Sequence, residues 1–317
     1  MDNRKSPFET ISSLAQTQTM SLGSELEYQA VALQNSPALI FEDCIITFGE
    51  LNALANRYAN YFNTLGLKKG DVAAILMENR PEFLIAATGL SKLGVIVSLI
   101  NNGVRKEVLA HALNICDAKM LIVGHELLEA FGEIRDQVHL QEPGTIFAEK
   151  EGQDIVLPDG ILDLKPLLEG ASEQNPPTTG TVTSDDVIVY IYTSGTTGFP
   201  KACAVTQKRW LVLGNLFTIF GQLDSNSTQY MVLPLYHNSG FDIGYSVTIV
   251  SGAAMALRRK FSARNFWHDV RKHNVNIFIY VGELCRYIFN QPEQPDDGDN
   301  PLKIIAGNGM RGDLMEP

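Results

Sequence analysis

The chain has 317 residues, 45% of them hydrophobic, enough for one large domain or two smaller ones with a sizeable core. Its formal charge of −11 argues against general nucleic-acid binding, which favours basic surfaces, yet leaves room for a nucleotide at a local basic, amide-lined site. Cys44, Cys116, Cys203 and Cys285 are scattered without a CxxC pair, so neither a zinc site nor a disulfide framework is expected, and a reducing cytoplasm is the simplest setting.

Residues 1–37 read as an N-terminal arm whose start, MDNRKSPFETISSLAQTQ, lacks the continuous apolar core of a signal peptide. Residues 38–48 read as two short strands, ALIF and IITF, joined at Glu42-Asp43. Thr47 and Glu50 form a capping-box pattern, and Leu51, Leu54, Ala55, Tyr58, Phe62 and Leu65 follow at helical spacing before Gly66. Val72 to Met77 reads as a strand, Pro81 starts a helix ending near Gly94, and Val95 to Leu99 is a strand. Arg105 to Cys116 is a helix and Lys119 to Val123 a strand. The apolar tract Phe83 to Ile100 carries Thr88, Ser91, Lys92 and Ser98 and is broken by Gly94, so it reads as helix then strand and not as a membrane span.

Residues 143–182, with Pro143, Gly144, Pro158, Gly160, Pro176, Pro177 and Gly180, read as an exposed connection with short elements between a first α/β part, 38–142, and a second, 183–317. In the second part Val187 to Ile191 is a buried strand, Thr206 to Phe220 a helix, Tyr230 to Leu233 a strand and Phe241 to Val250 a helix. Ala253 to Leu257 is a strand, Ser262 can cap a helix carrying Phe266, Trp267 and Val270, and Val275 to Tyr280 and Leu302 to Ala306 are strands. Strands alternating with helices indicate an α/β fold with layered subdomains and largely parallel sheets. Fold class alone does not identify function.

The stretch Tyr190 to Val205, YIYTSGTTGFPKACAV, carries the clearest chemistry. A strand delivers a loop in which Gly195 and Gly198 permit close backbone approach to a ligand. Its successive N–H groups can form a concave anion site, Thr193, Ser194, Thr196 and Thr197 add hydroxyl donors, and Lys201 adds a positive charge. The glycine spacing is wrong for a Walker A loop and GxGxxG is absent, and a Gly/Ser/Thr surface turn would look similar by composition. In Leu233 to Gly240, LPLYHNSG, a strand delivers Tyr236, His237 and Asn238 to a loop. An isolated histidine there would ordinarily only cap a turn. Gly307, Asn308 and Gly309 read as a flexible turn after a strand, at the sheet edge where α/β proteins often bind ligands. Glu283, Arg286 and Tyr287 read as helix surface or packing residues.

TSGTTGFPK closely resembles the phosphate-binding signature of the adenylate-forming enzymes, the superfamily of acyl-CoA synthetases, luciferases and peptide-synthetase adenylation domains. Ala202 stands where most have Gly, a departure shared by the fatty acid transport protein and very-long-chain acyl-CoA synthetase branch. YVGELCRY at 280–287 and GNGMR at 307–311 look very similar to that branch, and MENRPEF and LSKLGVIVSLINN fit it as well, so the resemblance runs from about residue 38 to the end. It implies a long- or very-long-chain fatty acid–CoA ligase that uses ATP, Mg²⁺ and CoA. Residues 193–198 and Lys201 would grip the β- and γ-phosphates, Thr193 would also support Mg²⁺, and Tyr236, His237, Asn238 and Gly307 to Gly309 would lie beside the acyl or nucleotide pocket.

Relatives continue well beyond Pro317, with an aromatic-Gly-x-Thr-Glu signature, a ribose-binding aspartate, a hinge and a C-terminal domain bearing the adenylation lysine. By that comparison residues 1–317 are expected to be a partial N-terminal AMP-binding domain, catalytically incomplete alone and with surface exposed for self-association. No catalytic residue is assigned within it. Many transport-protein relatives carry an N-terminal membrane segment that is not evident here, so peripheral lipid contact stays open. The other readings are a ligase for a different carboxylate, such as a carnitine-like or aryl acid, and a non-catalytic module binding nucleotide or lipid.

Overall fold

The computed structural model describes residues 19–151, 154–193, 198–310 and 312. Two sheets organise the chain. One has six strands in the order Ile304–Asn308 (β13), Ile277–Val281 (β12), Thr228–Met231 (β10), Ala254–Leu257 (β11), Pro37–Phe41 (β1) and Cys44–Thr47 (β2). The other has seven, in the order Ile161–Asp163 (β7), Thr145–Glu149 (β6), Met120–Gly124 (β5), Val72–Leu76 (β3), Ile96–Leu99 (β4), Val187–Thr193 (β8) and Lys201–Thr206 (β9). Neighbouring strands are parallel except β1–β2 and β8–β9, which are antiparallel hairpins at sheet edges. The layered, largely parallel α/β architecture is the one the alternation predicts.

The sequence pattern explains where each strand sits. In β3, VAAIL, and β5, MLIVG, every residue is buried, as a central parallel strand covered on both faces requires. Successive side chains alternate between two cores. Ala73 and Ile75 enter the main core between the sheets, whereas Val72, Ala74 and Leu76 join an outer core under the helix Lys106–Asn114. The main core also takes Leu39 of β1 and Met255 and Leu257 of β11, so both sheets bury one face in it. Helices Leu22–Ala32, Phe48–Thr64, Pro81–Lys92, Gln207–Phe220 and Ser246–Ser251 fill the space between. The helix Phe266–Lys272 lies apart from this layer: its Phe266 and Val270 join Phe278 of β12 in a third core on the outer face of the six-stranded sheet.

Several boundaries differ from expectation. The chain does not divide into linear halves: β1 and β2 pair into the six-stranded sheet through β11, and β8 and β9 join the seven-stranded sheet through β4. A strand's apolarity says that it is buried but not in which sheet. The stretch 143–182 does more than connect, since β6 and β7 extend the seven-stranded sheet and Phe147, Ala148 and Leu164 are buried. Within the arm, Leu22–Ala32 is a helix capped by Ser21 and anchored by Leu22 and Leu26, both fully buried. The predicted helix 241–250 is a π-helical segment, Ser239–Tyr245, followed by the α-helix Ser246–Ser251. The capping box is formed: Thr47 Oγ1 accepts from Glu50 N at 3.2 Å, and Glu50 Oε2 accepts from Thr47 N at 2.8 Å.

Candidate functional site

The glycine- and hydroxyl-rich loop sits at the tip of the β8–β9 hairpin. Thr193 and Lys201 are register partners across it, and both are exposed. Gly198 follows at φ +86°, in the left-handed region that a side chain rarely adopts. Ser194, Gly195, Thr196 and Thr197 lie outside the described residues. The base of the hairpin is fixed from below. Ser98 Oγ donates to the Tyr192 hydroxyl at 2.6 Å, and that hydroxyl donates to the Ala112 carbonyl at 2.9 Å. Burial pushes the Tyr192 hydroxyl well above its usual titration range, so it stays a neutral donor. On the exit side Phe199 packs on His111 with ring centroids 4.8 Å apart, and His111 Nε2 donates to the Pro200 carbonyl at 3.2 Å. The loop is therefore mounted on the helix Lys106–Asn114, which its local sequence does not suggest.

Tyr236, His237 and Asn238 follow β10. His237 N donates to the Pro234 carbonyl at 3.0 Å, closing a turn, while its side chain is exposed. Tyr236 is half-buried, and desolvation raises its hydroxyl pKa. Asn238 Oδ1 accepts from Arg209 Nη2 at 3.0 Å, tying this segment to the first turn of the helix Gln207–Phe220. The turn is tight, because a Cβ on Gly240 would stand 2.2 Å from the Pro234 carbonyl oxygen.

Gly307 and Asn308 end β13, Gly309 follows it, and all three are exposed. A Cβ on Gly307 would lie 2.1 Å from the Tyr280 carbonyl oxygen, and one on Gly282 only 1.7 Å from that of Gly309, while Gly309 itself sits at φ +72°. The ends of β12 and β13 thus press together, which accounts for Gly307 and Gly282, and the left-handed backbone accounts for Gly309. Glu283 and Arg286 form an ion pair at 2.7 Å on the surface of the helix Gly282–Phe289, as expected of surface residues.

Because β10, β12 and β13 are parallel, Tyr236–Asn238 and Gly307–Gly309 leave the same, C-terminal edge of one sheet. Asn79 joins that edge to the other sheet. Its Nδ2 donates to the Leu233 carbonyl at 2.9 Å and to the Arg258 carbonyl at 3.3 Å, and its Oδ1 accepts from Leu235 N at 2.9 Å. Asn79 follows β3, whereas Leu233 and Arg258 follow β10 and β11, so the C-terminal ends of both parallel sheets meet there. A cavity of about 230 Å³ at this junction is lined by Glu78, Asn79, Asn102, Pro234, Arg259 and Lys260 among others. Crevices at strand C-termini are where open α/β sheets commonly bind ligands. Beneath it the fully buried Arg80 donates to the Glu149 carbonyl at 2.8 Å and pairs with Glu151 at 3.0 Å; Glu151 also pairs with Arg259. These cations hold the Glu151 carboxyl below its usual range.

Sequence reasoning missed Asp242. It lies in the π-helical segment, is fully buried, and neither carboxylate oxygen has a hydrogen-bond partner among the described residues. Arg209 Nη2 stands 3.6 Å from Oδ2, beyond hydrogen-bond reach. Burial pushes the carboxyl up to about 7, with Arg209 pulling the other way. The one charged residue in the largely apolar run FDIGYSVTIV was the available signal. A cavity of about 910 Å³ lies elsewhere, on the outer side of the six-stranded sheet. Of the residues singled out from the sequence for a binding role, none lines it. Among the described residues no cluster of His, Cys, Asp and Glu suits a metal ion, and no helix is long and apolar enough to cross a membrane.

Two mostly parallel sheets whose C-terminal edges converge on one crevice, with a Thr–Gly–Lys hairpin at the end of β8, define a layered α/β protein. The sequence pattern of AMP-binding enzymes matches residues 26–316, and the chain belongs to that family. It is 36% identical over 297 residues to the medium/long-chain-fatty-acid–CoA ligase FadD6 of Mycobacterium tuberculosis, covering 93% of this chain and 48% of that protein. It is 39% identical over 274 residues to long-chain fatty acid transport protein 1 of Bos taurus, covering 85% of this chain and 42% of that one. The chain thus spans about half the length of the curated relatives it matches. Among solved structures, the anthranilate CoA ligase AuaEII in complex with anthranoyl-AMP superposes with a TM-score of 0.81 at 21% identity, over 91% of this chain and 55% of that one. The N-terminal domain of FACL13 from Mycobacterium tuberculosis gives a TM-score of 0.77 at 22% identity, over 93% and 71%.

Proposed function

We propose that the chain carries the nucleotide- and acid-binding machinery of an ATP-dependent acyl-CoA ligase for medium- or long-chain fatty acids. The observation that carries this reading is the β8–β9 hairpin, which sets Thr193 and Lys201 opposite one another on either side of the hydroxyl- and glycine-rich turn. An exposed ammonium and hydroxyl with a left-handed glycine between them fit a polyphosphate, which needs charge and close backbone approach. Thr193 would support Mg²⁺, with phosphate and water oxygens completing a coordination shell that this ion prefers. Names of relatives that include fatty acid–CoA ligase support the substrate class. So does the apolar groove of about 160 Å³ between the helix Gln207–Phe220 and strands β12 and β13, lined by Leu216, Phe217, Phe220, Ile277, Ile304 and Ala306. Its lining suits an alkyl tail and disfavours a charged carnitine-like acid.

In the reaction this implies, a carboxylate oxygen attacks the α-phosphorus of ATP. A P–O bond forms, the bond to pyrophosphate breaks, and an acyl-adenylate results. The CoA thiol, losing its proton, then attacks the acyl carbonyl and AMP leaves with the C–O bonding pair. The substrate supplies each nucleophile, so the protein's task is to align two anions and offset their repulsion. Calorimetric titration with dodecanoyl-sulfamoyl-adenosine, a stable mimic of the adenylate, tests the reading. We expect it to bind at least ~100-fold more tightly than adenosine, as an intermediate mimic joining both subsites should. Equal affinity for the two would overturn the proposal.

A further inference from the structure

We propose that Arg209 is the group that receives the carboxylate of the acid substrate, and that Asp242, buried behind it, is the positioning residue that sets how much of its charge is available. This deepens the acyl-ligase reading and rests on it. Arg209 occupies the first turn of the helix Gln207–Phe220, beside Asn238, and its side chain is 48% exposed. Leu216, Phe217 and Phe220, toward the other end of the same helix, line the apolar groove. At ~1.5 Å of rise per residue the guanidinium end and the apolar end are about 10–16 Å apart. One helix therefore offers a cation at one end and an alkyl-compatible wall at the other, the arrangement a fatty acid needs.

Asp242 has no explanation as a stabilising residue. It is fully buried, both oxygens lack hydrogen-bond partners among the described residues, and it sits in a π-helical segment, a distortion frequent at functional sites. Among the described residues Arg209, from the helix above, is the charged group whose field reaches it. The helix Pro81–Lys92 presents Thr88, which bonds the Tyr245 hydroxyl at 2.6 Å, and β10 presents Gln229, whose Nε2 donates to the Gly244 carbonyl at 2.7 Å. Of these only Tyr245 titrates, and burial raises it far above neutrality; His237 on the preceding turn is exposed. With Asp242 protonated, Arg209 carries an uncompensated positive charge and attracts a carboxylate. With Asp242 ionised, the pair is neutral overall and the attraction weakens. Burial places this change near pH 7.

The test is calorimetric titration of the 317-residue chain with dodecanoate, and with dodecanol as a charge-free control, at pH 6 and pH 8. Wild type is expected to prefer dodecanoate, with affinity falling about fivefold or more from pH 6 to pH 8, the scale of a modest coupling between sites. Arg209→Gln should lose about tenfold for dodecanoate and little for dodecanol, and Arg209→Lys should recover part of the loss. Asp242→Asn should keep the pH 6 affinity at both pH values, with far-UV circular dichroism confirming that it folds. Dodecanoate affinity unchanged in Arg209→Gln, or a pH dependence that survives Asp242→Asn, overturns the proposal while leaving the ligase reading intact. Failure of wild type to bind dodecanoate at either pH overturns it too, and if the adenylate mimic also fails to bind, the ligase reading falls with it.

Discussion

Replacing Asp242 with Asn should stabilise the protein, by an amount that grows as pH rises from about 4 to about 7. The carboxyl titrates near 7 in the fold against an ordinary value of 3.8, because it is buried without hydrogen-bond partners. Between those two values the folded state holds a proton that the unfolded chain has released, so stability falls as pH rises through this window. Above pH 7 the full cost of a buried charge is present. At ~1.4 kcal/mol per pH unit the separation, which already includes the pull of Arg209, corresponds to an expected gain of about 4 kcal/mol for the Asn variant above pH 7. Near pH 5 the carboxyl is neutral in the fold but already ionised in the unfolded chain, so about 1–2 kcal/mol of this difference should be present there. Urea denaturation at pH 5 and pH 8, with the midpoint and slope fitted at each, measures both differences. A variant no more stable than wild type at pH 8, or a gain of equal size at pH 5, would refute the reasoning.

Gly282→Ala should cost about 1–3 kcal/mol or more, because its Cβ would stand 1.7 Å from a backbone oxygen that no side-chain rotation can move. The urea midpoint reads this, and an unchanged midpoint would contradict the close approach of β12 and β13. Asn79→Ala should cost about 2–4 kcal/mol, since it strands the Leu233 carbonyl and the Leu235 N–H in a buried place. It should also speed proteolysis within 233–238, and an unaltered cleavage pattern would count against Asn79 as the tie between the sheets.

What the sequence disclosed is what short-range physics encodes. Thr47 and Glu50 specify a helix start three residues apart, and β3 and β5 announce burial by unbroken apolarity. The partition of strands between sheets is long-range. β1 pairs with β11, and nothing local in ALIF distinguishes that partner from β3. β9 escaped notice because Lys201, Ala202, Cys203 and Ala204 are all exposed, so no burial alternation marks KACAVT as a strand. The helix Leu22–Ala32 was hidden for a related reason: Leu22, Gly23, Leu26 and Gln29 make a narrow buried stripe on a polar segment. At the site, the loop chemistry was readable from residue types, but its mounting was not. The His111–Phe199 contact and the Tyr192–Ser98 bond join residues far apart in the chain. Asp242 falls inside the expected helix 241–250, and only its surroundings make it a buried carboxylate without hydrogen-bond partners among the described residues.

The most direct test of the central claim is the affinity of the chain for Mg·ATP before and after Lys201→Ala. Lys201 is exposed at the hairpin tip, so removing it should leave the urea midpoint within about 0.5 kcal/mol of wild type. Loss of a charge-assisted contact to phosphate should weaken ATP binding by about tenfold or more, and AMP binding by much less, if the lysine meets the β- and γ-phosphates. Equal ATP affinity in the two proteins, measured by calorimetry on folded samples, would contradict the assignment of the β8–β9 hairpin as the phosphate-binding element.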